Sequence, residues 1–216
     1  MTHKPRLTTA ALAATLIMLV ATAASSANRL SVNNRNIRAV WTKLEFREPG
    51  GFFGTVQCPI TLEGSFHYWT IVKRERALIG LISRASVNSA SCTGGHTTVL
   101  TESLPWHGTY QGFIGRLPEI ESFKLLLTGV KFKIESAIAG NCLATSSVEH
   151  PVLGKANVSK AFSPPLVTTF TLESAQQIPL VGAPTCNGAN GVFNSAAADG
   201  EVTLLGNTEK IKIRLI

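Results

Sequence analysis

Val130-Lys131-Phe132-Lys133-Ile134-Glu135 alternates apolar with charged side chains, and Lys210-Ile211-Lys212-Ile213-Arg214-Leu215 repeats the device near the C-terminus. Successive side chains of an extended chain point to opposite faces, so a period of two marks a strand with one face on a core and one in water. Parallel strands are buried on both faces and lack such charged positions. Both runs therefore read as half-buried antiparallel strands.

Working outward, residues 37–47, 53–58, 61–67, 69–73, 78–87, 97–104, 110–114, 166–172, 191–196 and 202–205 carry the β-branched and aromatic residues of further strands. Turn residues separate them at Pro49-Gly50-Gly51, Gly94-Gly95, Pro164-Pro165 and Asp199-Gly200. Residues 147–165 read as an extended loop. Charged residues are only 15% of the chain, too few for water-facing helices, and no amphipathic run of three helical turns stands after residue 27. The expected fold is all-β: an antiparallel β-sandwich or a Greek-key, barrel-like domain. A membrane barrel would need aromatic girdles on its outer face, and 15 Phe, Trp and Tyr residues do not provide them.

Met-Thr-His-Lys-Pro-Arg opens the chain, and residues 7–27 carry no charge. A basic start, an apolar centre at Leu16-Ile17-Met18-Leu19-Val20 and small residues at Ala21, Ala23, Ser25 and Ala27 are the layout of a signal peptide. The chain divides into a leader, 1–27, and one β domain, 28–216, placed in the cell envelope or outside the cell. The rival reading of 7–27 is a retained anchor, the only membrane contact the sequence suggests.

Four cysteines at 58, 92, 142 and 186 in an exported chain imply two disulfides. Three connectivities are possible, and consecutive pairing, Cys58 with Cys92 and Cys142 with Cys186, is favoured because it gives two local loops that close independently. Cys92-Thr93-Gly94-Gly95-His96 is one half of a zinc site without its other half, so no metal and no cofactor is expected.

The formal charge of +7 falls to +5 without Lys4 and Arg6. The basic residues are dispersed, chiefly as Lys73/Arg74/Arg76, Lys131/Lys133 and Lys210/Lys212/Arg214, with no dense stripe for nucleic acid. Residues 58–107 hold Glu63, His67, His96, Glu102 and His107, which could serve acid–base or metal chemistry if they converge. No Gly-x-Ser-x-Gly elbow accompanies them. The single aspartate, Asp199, is explained by a turn at Asp199-Gly200. Glu119 and Glu121 follow Pro118 in an apparent turn. Asn157-Val158-Ser159 matches a glycosylation acceptor but reads as plain loop. Trp41, Trp69, Trp106 and Tyr110 would suit a cell-wall or extracellular polysaccharide where exposed.

The segments CPITLEGSFHYWT from Cys58, CTGGHTTVLTESLPWHGTY from Cys92 and GEVTLLGNTEKIKIRLI at the C-terminus resemble those of a group of small secreted bacterial proteins without an assigned activity. The resemblance covers most of the domain and implies bacterial export and one domain holding both Cys58 and Cys92, but no catalytic residue or cofactor. The function expected is an exported binding or structural protein. The alternative is a secreted hydrolase built on the His/Glu residues of 58–107.

Overall fold

Sixteen strands and two short 3-10 turns make up the regular structure of the described residues. The computed structural model describes residues 29–216 except 49, 51–53, 117–118, 137, 139, 174–176, 196–198 and 216; the expected leader, 1–27, lies outside them. In chain order the strands are β1 (Arg29–Val32), β2 (Asn36–Arg47), β3 (Thr55–Phe66), β4 (Thr70–Val72), β5 (Leu78–Val87), β6 (Gly95–Val99), β7 (Trp106–Arg116) and β8 (Glu119–Thr128). They continue with β9 (Lys131–Ser136), β10 (Gly140–Thr145), β11 (Val152–Ser159), β12 (Leu166–Leu172), β13 (Ile178–Gly182), β14 (Asn190–Asn194), β15 (Gly200–Leu204) and β16 (Ile211–Leu215).

Strands β2, β3, β5, β7, β8, β11, β12 and β15 pair antiparallel in that order, and β15 returns to β2 to close an eight-stranded barrel. The all-β, antiparallel expectation holds. Of the two finer alternatives the barrel-like one holds, and each barrel strand lies beside its successor in the barrel, so the order is up-and-down rather than Greek-key. Intervening strands return the chain to the edge it left, so no crossing connection is needed.

Up-and-down order sends alternate connections to opposite ends. At one end β6, β9, β10 and β13 form a sheet joined through β14 to β2. Phe132 of this layer contacts Trp106 and Phe193, at 5.4 and 5.1 Å between ring centroids, and so plugs that mouth. The disulfides Cys58–Cys92 and Cys142–Cys186 fasten this end. In the chain-entropy picture, sequence separations of 34 and 44 residues give each a stabilisation of about 4 kcal/mol. At the other end β4, β1 and β16 form a small sheet that buries Leu30, Ile71 and Ile213.

Between the plugs the barrel is filled by Trp41, Phe123 and Phe170, and an apolar cavity of about 70 Å³ remains. The outer wall carries charges instead. Glu63 on β3 lies between Arg38 on β2 and Arg84 on β5, at 3.7 and 3.9 Å, and Lys124 and Lys155 face each other across β8 and β11. A basic residue facing the middle of a bilayer costs about 2–4 kcal/mol, so this wall suits water.

Three local readings change. Residues 147–165 are not one loop: they contain β11, paired on both sides, whose inward residues are small because the Phe170 ring covers Gly154. Glu119 and Glu121 belong to β8 rather than to a turn, and Asn157 sits on β11 with its amide donating to Thr169 and Thr171 hydroxyls, each at 2.9 Å. Gly200 is the first residue of β15, and a Cβ there would overlap the Trp41 indole. Packing rather than a turn demands this glycine.

Closure at β15 can be tested directly. Gly200→Ala is expected to lower stability by about 1–3 kcal/mol through overpacking against Trp41. Gly112→Ala, with open space around its Cβ position, should stay within about 0.5 kcal/mol of the parent. Urea unfolding with the disulfides intact measures both, and equal midpoints for the two variants would contradict the closure account.

Candidate functional site

The residues singled out for acid–base or metal chemistry are spread over the barrel. Glu63 is on the outer wall, held by Arg38 and Arg84. His107 is exposed on β7, opposite Leu81 and Thr128. His96 lies on β6 in the disulfide-end sheet, opposite Glu135, with Nδ1 3.2 Å from the Ser89 carbonyl. Glu102 is exposed in the 3-10 turn Thr101–Ser103. His67 follows β3 at the far end, where its Nε2 atom is buried without a hydrogen-bond partner. Among the described residues no three His, Cys, Asp or Glu side chains gather as a metal site.

The barrel interior is not a ligand chamber. Eight strands enclose just enough space for side chains or one small ligand, and here side chains take it. The cavity of about 70 Å³ is far below the roughly 300 Å³ at which small-molecule pockets begin.

The end covered by β4, β1 and β16 is different. It comprises residues 29–36, 66–78, 114–116, 119–121, 159–166 and 204–215, which meet because alternate connections share an end. Ten of the 18 basic residues after residue 27 stand in these segments against four of the 13 acidic ones, so this end carries net +6 and the rest of the domain −1. On the small sheet, Leu30, Ile71 and Ile213 point inward. The opposite face carries Arg29 beside Val72, Arg214 beside Ser31 and Thr70, and Lys212. Among the described residues no carboxylate pairs with Arg29, Arg74, Arg76, Lys212 or Arg214, whereas Lys160 is 3.4 Å from Glu121 and Lys210 2.6 Å from Glu201.

Apolar side chains are exposed on the same end. Of ten exposed large apolar residues among those described, seven lie here: Tyr68, Trp69, Val72, Leu78, Ile114, Phe162 and Leu205. Tyr68 and Trp69 are 71% and 56% exposed at the tip between β3 and β4, far above the surrounding core. The Arg35 guanidinium lies 5.7 Å from the Trp69 ring centroid and donates to the His67 carbonyl at 3.1 Å. That cation–π contact holds a charge and an indole together at the tip. Lys73 stands 5.9 Å from the Phe113 ring, and partial burial holds its pKa below the ordinary lysine value. Leu30, Ile120 and Ile213 floor an open concavity of about 410 Å³, rimmed by Ser163, Pro164, Pro165 and Arg214.

Sequence reasoning placed Trp41, Trp69, Trp106 and Tyr110 together as surface candidates; Trp69 alone of the four is exposed. It passed over Arg29 and Arg35 and left Lys73/Arg74/Arg76 and Lys210/Lys212/Arg214 as separate groups, because they are far apart in the chain. The available signal was the apolar–basic alternation of the last strand, whose charged face joins the others only through β1. Comparison with known proteins finds no matching family model, curated protein or solved structure.

Quenching of tryptophan fluorescence reports both exposure and field. Anionic iodide should quench one of the three tryptophans and positively charged caesium much less, because Trp69 sits in a positive potential. Trp69→Phe should remove the iodide-sensitive fraction. Equal quenching by the two ions would contradict the charge asymmetry.

Proposed function

We propose that the protein is an exported binding protein of the cell envelope or extracellular space, a filled barrel that serves as a rigid scaffold for the contact surface at its basic end. One observation carries this reading: the exposed aromatic residues and the net charge of +6 coincide on one end. Exposed apolar patches on an otherwise charged domain mark interaction sites. Two disulfides fit an oxidising compartment. A hydrolase would gain support from convergent polar groups in a pocket. The candidate histidines instead occupy the barrel wall and its two opposite ends, and the 410 Å³ concavity is lined by one arginine, one serine and apolar residues.

Adhesion to envelope material tests the proposal. Oxidised protein beginning at Asn28 is expected to sediment with isolated cell envelopes, and Trp69→Ala combined with Arg214→Gln should lower the bound fraction about tenfold or more, as for central aromatic and arginine anchors. Undiminished adhesion of a folded double variant would remove this end from the function.

A further inference from the structure

Resting on that reading of the basic end, we infer that its partner is the surface of a bilayer containing anionic lipids. Indole and phenol rings favour the boundary between headgroups and acyl chains, where one side is apolar and the other wet. Tyr68 and Trp69 form such a tip, Phe162 stands exposed on the separate β11–β12 connection, and Ile114 is exposed on β7 at the same end. Side chains on separate connections do not make a continuous groove for a polymer chain, but each can enter a fluid interface independently.

The charges point the same way. Arg29, Lys212 and Arg214 line the outward face of the β4–β1–β16 sheet with no carboxylate among them, and Arg35, Arg74 and Arg76 flank it. Each basic residue near an anionic leaflet raises partitioning about fivefold. Apolar insertion and a basic patch together supply the two signals that stable peripheral attachment requires. The concavity between Leu30, Ile213 and Ser163 has an apolar floor and Arg214 at its rim, which matches a phosphodiester headgroup above the start of its acyl chains. A sugar platform fits less well. Arg35 covers one face of Trp69, and the other candidate aromatics, Trp41, Trp106 and Tyr110, are buried.

The experiment uses protein beginning at Asn28, which contains every core residue from Leu30 to Ile213 and lacks the apolar run 7–27 that would bind lipid by itself. It is mixed with extruded vesicles of phosphatidylcholine alone or with roughly one-third phosphatidylglycerol, an anionic leaflet of the kind that attracts basic segments. Binding is expected only with phosphatidylglycerol, accompanied by a blue shift from Trp69, because Trp41 and Trp106 are already buried. It should fall away near 1 M salt, where the screening length shrinks to about 3 Å. Arg29→Gln with Arg214→Gln should weaken partitioning about 25-fold, while Lys131→Gln with Lys133→Gln at the opposite end should leave it unchanged. Unfolding midpoints confirm that each variant is folded, and vesicle composition and salt test the unaltered protein without any variant. Equal binding or no binding to the two vesicle types overturns the inference, as does equal loss in both double variants. Adhesion to lipid-free wall polysaccharide without vesicle binding overturns the lipid partner and leaves the contact end standing; loss of adhesion to whole envelopes overturns both.

Discussion

The structure depends on how closely β15 approaches Trp41. This five-residue strand must bridge β12 and β2 to close the barrel, and a side chain at Gly200 would collide with the indole. The indole is fixed from its other side: its Nε1–H donates to the Ser195 hydroxyl at 3.0 Å, and the same oxygen accepts from the Leu172 amide at 2.9 Å. Phe170 packs edge-on at 5.8 Å and in turn requires Gly154 on β11. One aromatic pair thus sets the small residues on β15 and β11, the strands on either side of β12, and without closure β2 and β12 would each keep a stretch of unpaired edge.

Closure in up-and-down order has a further consequence. Connections alternate between two ends, and here the ends have diverged. The long connections carry β6, β9, β10, β13 and β14, and these build the disulfide-fastened plug. The short connections and the strands at both chain ends build the basic face. Because side chains fill the interior, the proposed recognition would lie on the outside, and among the described residues one end combines exposed aromatic residues with excess charge.

Strand character was legible wherever the alternation was clean, as in β9 and β16, and the even cysteine count announced the disulfides. Strand β11 was not legible, because its inward Gly154 and Ala156 are residues that strand propensity disfavours, and only their contact with Phe170 explains them. The choice between sandwich and barrel turned on Gly200, which from sequence is indistinguishable from a turn glycine after Asp199. Aromatic exposure was equally hidden. Trp69 and Trp106 look alike in the chain, yet one caps a loop and the other donates to the Ser103 hydroxyl from within the core. Charge asymmetry is a property of the fold: β1 brings β4 and β16 together, and with them basic residues separated by more than a hundred positions.

The position of β1 ties the basic end to the N-terminal segment. Arg29 is the first residue of β1 and stands on the outward face of the small sheet, so the chain enters the domain at the basic end. Only Asn28 separates Arg29 from the uncharged run 7–27, and one extended residue spans at most about 3.6 Å. A leader held in the bilayer before cleavage would therefore bring Arg29 to the headgroup layer, with Arg214 and Trp69 on the same end. A retained anchor would hold the domain in the same orientation. Were 7–27 such a segment, the basic end would meet the membrane first in either case, and the charge of the folded domain, +5 of the chain's +7, would remain after cleavage.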